Sequence, residues 1–167
     1  MIINNIGQLK KELNKRLVDA VAILTDQIYE KLIYFIEEDI YKTYTPNYNN
    51  PNHYMRTYDF RDRAWQSYYF EVAGEIAGII QYTPEAMFYN PSLYQHGNRQ
   101  EDRREKLAEI LNRGTADWDD WDFGRHNGSE GYSSYPKPFW DDTINWIVKN
   151  WDKLAKEALR KAGINAI

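Results

Sequence analysis

Apolar residues Ile6, Leu9, Leu13, Leu17, Val21, Leu24, Ile28, Leu32, Phe35 and Ile40 recur at steps of three and four with one longer gap. That spacing predicts an amphipathic helix across residues 1–43. Asn4 or Asn5 can cap its start. A helix of about 37 residues is roughly 55 Å long at 1.5 Å per residue, whereas a compact domain of this size is roughly 35–40 Å across. Part of the helix must therefore bend or project, and a projecting apolar stripe needs a partner or a second copy to cover it. Lys10, Lys11, Lys15 and Arg16 lie near its start and Glu37, Glu38 and Asp39 near its end, against the helix dipole. Solvation of that face, or head-to-tail attraction between neighbouring copies, would account for the sorting.

Residues 44–63 form a corner. Pro46 and Pro51 lack backbone donors and push Thr45 and Asn50 toward extended geometry, and the surrounding Asn residues suit tight turns. Arg56, with its planar set of donors, is suited to clasp the loop. Over 64–82 the period shortens: Trp65, Tyr68, Phe70, Val72, Ile76 and Ile79 interleave with Gln66, Glu71, Glu75 and Gln81. This predicts a β-hairpin turning at Gly74, with Gly78 as a bulge or close approach and a helix over 71–80 as the competing reading. Residues 83–98 read as an irregular aromatic excursion around Pro84, Asn90, Pro91 and Gly97. Asn98 with Glu101 resembles a capping box that opens a helix over 99–114, ending at Gly114 and carrying an ion-paired surface. Residues 115–137 have no period. The closing helix, 138–163, begins at Pro138, places Asp141 and Asp142 at the positive end of its dipole, and carries Phe139, Ile144, Ile147, Val148, Trp151, Leu154, Ala158 and Leu159 as its stripe. The fold class is α+β in a single domain, 1–167, with the last helix covering the sheet.

Composition sharpens the picture at one point. The chain has 14 Tyr and 6 Trp, with aromatics at 16%, yet a mean hydropathy of −0.78. So many rings in so polar a chain cannot all enter one core, which favours a protein that docks. Trp118, Trp121, Phe123, Tyr132 and Tyr135, on the Gly/Ser-rich segment 115–137, are the candidate partner interface. The net charge of −4 argues against general phosphate binding. With no cysteine there is no disulfide framework or thiolate metal site. A start without a basic region and apolar run, and no apolar stretch of spanning length, predict a soluble, unexported protein with no membrane role.

The sequence carries no recognisable catalytic pattern. His53, His96 and His126 sit in separate loops without ligand spacing. Asp117, Asp119, Asp120 and Asp122 invite a calcium loop, but counting from Asp117 the sixth position holds Asp122 instead of Gly and the twelfth Gly128 instead of Glu. Neither a phosphate cradle nor a nucleophile elbow occurs. The expectation is a protein without enzymatic activity, cofactor or metal. Two rival readings stand beside it: a carbohydrate- or receptor-binding module using the Trp/Tyr loop, and a small metal-dependent nuclease using the acidic cluster.

The order of segments carries a resemblance. The long first helix, the Thr45-Pro46 corner with Tyr54-Met55-Arg56, the hairpin, Leu107-Ala-Glu-Ile-Leu-Asn-Arg-Gly-Thr115 and Pro136-Lys-Pro-Phe-Trp140 before the closing helix resemble, in that order, the neck or tail-completion proteins of tailed bacteriophages. Arg56 matches the Arg after that family's proline corner, Gly114 its Gly after the second sheet segment, and Phe139 the aromatic of its Arg-Pro-Phe-like block, with Lys137 in place of Arg. Pro46, Arg56, Gly114, Pro138 and Phe139 then form the structural clasp. The resemblance implies a virion protein assembled in the host cytoplasm as a homo-oligomeric ring. Such a ring joins the portal, with its adaptor or stopper, to the tail, and DNA passes nearby without sequence-specific binding.

Overall fold

The computed structural model describes residues 5–42, 58–88, 95–96, 99–100, 104–113 and 137–165. Helix α1 runs Ile6–Ile36 and continues as a π-helical turn, Glu37–Tyr41. There follow α2 (Asp59–Asp62), strands β1 (Trp65–Val72) and β2 (Glu75–Tyr82), a 3-10 turn (Pro84–Ala86), a second, minimal sheet of β3 (Gln95–His96) and β4 (Arg99–Gln100), α3 (Arg104–Arg113) and α4 (Phe139–Lys161). The fold is α+β: a long first helix, an antiparallel hairpin, short helices, and a C-terminal helix packed on the sheet through Trp65. The chain divides into two compact units, one of residues 1–31, 66–81 and 144–167, the other of 32–65 and 82–143; α1, the hairpin and α4 contribute to both.

In the first unit, Asn5 caps α1 by accepting the backbone N–H of Gln8 at 2.8 Å. The helix lies against the hairpin. Asn14 donates to the Glu71 carboxylate at 2.8 Å, and a Cβ added at Gly78 would fall 1.8 Å from Thr25 Oγ1. Gly78 is thus a close approach of strand to helix and not a bulge. Thr25 itself is buried and donates to the Val21 carbonyl. The hairpin turns on Ala73 (φ 54°) and Gly74 (φ 86°), the pair of positive φ values that a two-residue loop needs to match strand twist. Such a loop sets Val72 opposite Glu75 and Trp65 opposite Tyr82, in accord with the Trp65 and Tyr82 rings at 5.1 Å. Helix α4 runs antiparallel to α1: Arg16 Nη1 donates to the Gly163 carbonyl, and Lys31 Nζ lies 5.7 Å from the Trp146 ring. Gly163, at φ 79°, terminates α4 in the left-handed region.

In the second unit Leu32, Ile36 and Ile40 are buried at successive steps of four. Such steps walk around an α-helix by about 40° each. Widening the last turn, marked by the Lys42 N–H bonding back to Glu37 O at 2.9 Å, corrects that drift and returns Ile40 to the covered face.

Several expectations change. The predicted corner, 44–63, contains the short helix α2 at its end. The predicted helix over 99–114 starts at Arg104, because Arg99 and Gln100 pair with His96 and Gln95 in a ladder. A capping-box pattern is four residues long, and a local hairpin overrides it here. The competing helix over 71–80 gives way to strands. Helix α4 begins one residue later than expected, leaving Pro138 just before it.

Glycine at position 78 makes a measurable demand. Gly78→Ala should destabilise the chain by about 1–3 kcal/mol through overpacking. Thr25→Ala removes the atom at 1.8 Å and leaves only Thr25 Cβ at 3.0 Å, so the double variant should recover part of that loss. Urea denaturation of the four-member cycle reads the coupling.

Candidate functional site

The second unit is fastened by aromatic rings drawn from three segments. Phe139, fully buried, stands edge-on to Phe60 at 5.6 Å and to Trp65 at 5.9 Å. Trp140 stacks on Trp65 at 5.6 Å, and Tyr82 closes the group at 5.8 Å from Phe60. Edge-to-face and offset pairs are each worth about 0.5–1.5 kcal/mol beyond the area they bury. Tyr82 donates its hydroxyl to the Arg104 carbonyl, and Arg104 Nη1 donates to Met87 O at 2.7 Å, which ties α3 to the turn after β2.

Helix α4 is capped from a distance. Pro138, the residue before it, offers no side-chain oxygen, and the buried Asn112 of α3 supplies one instead. Asn112 Oδ1 accepts the backbone N–H of Trp140 at 3.0 Å and of Asp141 at 3.3 Å, while Nδ2 donates to the Asp141 carboxylate at 3.1 Å. The Phe139 N–H bonds to Lys137 O, and the Lys137 N–H takes up the Leu111 carbonyl at 2.8 Å. The exposed donors at the start of α4 are thereby satisfied.

Around the π turn, Arg61 bonds Glu37 at 2.7 Å and Asp62 at 2.6 Å, and lies 4.5 Å from the Tyr58 ring, which stacks on Tyr41 at 4.7 Å. Glu38 pairs with Lys42 and Arg16 with Glu12. Glu37 and Glu38, at the end of the predicted helix, therefore serve their own chain. Asp39 has its pKa pushed up, first by burial and then by the nearby Asp142 carboxylate, against the opposing pull of Lys137.

Among the described residues, the first unit carries a run of exposed apolar side chains. Exposure along the α1 stripe falls from 85% at Ile6 through 50% at Leu9, 47% at Leu13 and 36% at Leu17 to 5% at Ala20. The first turns of the helix thus carry their apolar side chains largely exposed. Tyr68, Tyr69, Phe70 and Val72 of β1 and Ile144, Val148 and Trp151 of α4 are also exposed. Apart from Tyr69, the sequence carries these positions in its periodicity, but periodicity alone does not tell which part of a stripe is covered.

Of the residues singled out from sequence, Phe139 sits at the centre of the ring cluster and Pro138 precedes α4. Trp118, Trp121, Phe123, Tyr132, Tyr135, Pro46, Arg56 and Gly114 lie outside the described residues. Sequence reasoning missed Asn112, whose only local signal is an amide in the last turn of a helix. Among the described residues no group of three His, Cys, Asp or Glu is placed to hold a metal, and no helix is long and apolar enough to cross a membrane.

These features define an α+β protein in which a hairpin is flanked by long helices, with apolar helix and strand positions left open to solvent. A family model described as YomN matches residues 5–162, and the chain belongs to that phage-associated family. Neither the curated proteins nor the solved structures contain a significant match.

Two outcomes test the site. Asn112→Ala should cost about 0.5–2 kcal/mol, the usual range for a lost helix cap, read by urea denaturation. For Asp39, a folded pKa raised above the ordinary 3.8 means that the folded state holds the proton more tightly than the unfolded one. The contribution of this group is then most favourable below the unfolded value and declines as pH rises through the folded value. Asp39→Asn should flatten that decline in stability measured upward from about pH 4.

Proposed function

We propose that this chain is a structural protein of a tailed-phage virion, a subunit of the neck or tail-completion ring that joins head to tail around the DNA path. The role is non-enzymatic. One observation carries the reading: the apolar stripe of α1 runs off the end of its own cover, from Ala20 at 5% exposure to Ile6 at 85%. A monomer in water gains nothing from such a stripe, whereas a subunit enclosed between neighbours buries it at about 25 cal/mol per Å². Membership of the YomN family and the order of helix, hairpin and closing helix support the same reading. The partners would be further copies of the chain, the portal with its adaptor or stopper, and the tail. The net charge of −4 suits the wall of a channel through which a polyanion must slide, because phosphate contacts would hold it back.

The test uses the phage. A stop codon early in the reading frame should yield DNA-filled heads and separate tails, with joining restored when the protein is supplied in trans. Immunolabelling should place the chain at the head–tail junction of intact particles. Joined, infectious particles lacking the chain would end the proposal.

A further inference from the structure

The structure holds two uncovered apolar seams on helices of the same unit. On α1 the seam is Ile6, Leu9 and Leu13; on α4 it is Ile144, Val148 and Trp151, with Val148 73% exposed. We propose that the two are halves of one contact, in which the projecting start of α1 lies antiparallel on the outer seam of α4 of a second copy of this chain.

Three observations point there. The first is spacing. Read from its start, the α1 seam steps by three and then four residues; read backward from Trp151, the α4 seam steps by three and then four. An antiparallel arrangement thus sets Ile6 against Trp151, Leu9 against Val148 and Leu13 against Ile144, without drift around either helix. The second is charge. Residues 6–17 carry Lys10, Lys11, Lys15 and Arg16 against the single carboxylate Glu12, while 141–152 carry Asp141, Asp142 and Asp152 against the single Lys149. Lys10, Lys11 and Lys15 have no ion-pair partner among the described residues, so this charge is available to a neighbour.

The third is reach. Within one chain α1 and α4 are already antiparallel, with Arg16 at Gly163 and Lys31 at Trp146. Leu9 is separated from Lys31 by about 33 Å of helix at 1.5 Å per residue. It therefore cannot meet the Ile144 end of its own α4. The α1 seam thus cannot be completed by the α4 seam of its own chain, whereas a second copy presents that seam with opposite charge. The contact is heterologous: each copy gives one surface and receives on another, the kind of contact that closes rings or extends filaments.

The experiment uses the purified full-length chain. By analytical ultracentrifugation the wild type should form species larger than a monomer as concentration rises. Leu9→Glu/Leu13→Glu and Val148→Glu should each stay monomeric at the same concentrations. Mixed in equal amounts they should form a dimer that grows no further, since one intact surface of each kind remains.

Because the chain has no cysteine, cross-linking gives a second measurement that needs no charge in a seam. Leu9→Cys and Val148→Cys chains, labelled differently and mixed under mild oxidation, should join mainly across the two species. A wild type that remains monomeric, a Val148→Glu chain that assembles like the wild type, a mixture that remains monomeric, or cross-links mainly within the Leu9→Cys species would overturn the proposal. The contact deepens the ring reading but fails separately from it. Assembly in solution by a chain missing from virions would remove the neck role and leave the contact standing.

Discussion

Burial of Phe139 is the constraint on which the second unit depends. Its ring is wholly enclosed and meets Phe60, from the short helix before the hairpin, and Trp65, at the hairpin's start. Segments separated by more than seventy residues are thereby held to one point. The ring can sit there because α4 begins at Phe139, and α4 can begin there because Asn112 supplies the cap that proline cannot. A helix start, a side-chain amide and an aromatic cluster form one cooperative arrangement, and removing any member leaves the others with unpaired donors or an unfilled space.

The two long helices and the first hairpin were legible from residue order alone, since their signals are repeated many times over. The α1 stripe recurs from Ile6 to Ile40, and the β1–β2 alternation is interrupted by Gly74. What escaped were features determined by a single tertiary contact or a very short ladder. The π turn exists to keep Ile40 on the covered side of its helix, information that resides in the packing. The ladder of Gln95 and His96 with Gln100 and Arg99 is two residues long on each strand, and nothing in its composition distinguishes it from the start of a helix. Asn112 is an unremarkable polar residue until the start of α4 is placed beside it. Of the candidate site, the oversized helix was visible from counting residues, whereas the place where its cover ends required the positions of Arg16 and Gly163.

The two units divide labour. The second concentrates enclosed rings and satisfied polar groups, as in the Arg61 network with Glu37, Asp62 and Tyr58. The first keeps apolar side chains on the water side of both long helices and of strand β1. In the proposed ring role, a subunit that must remain dispersed before joining others can combine this exposed apolar pattern with net negative charge to limit premature clumping. Membership of the YomN family sets that pattern in a phage context.

The overhang of α1 carries a kinetic corollary. Ile6 and Leu9 in its opening turns are half or more exposed, so little apolar burial adds to the stability of a helical stretch that is marginal in water by itself. Amide protons between Ile6 and Leu13 should then trade with solvent far faster than those beyond Ala20, where opening requires wider unfolding. Under the proposed contact between copies, the same arm would stiffen when a neighbour receives it, and association would then complete the folding of the chain.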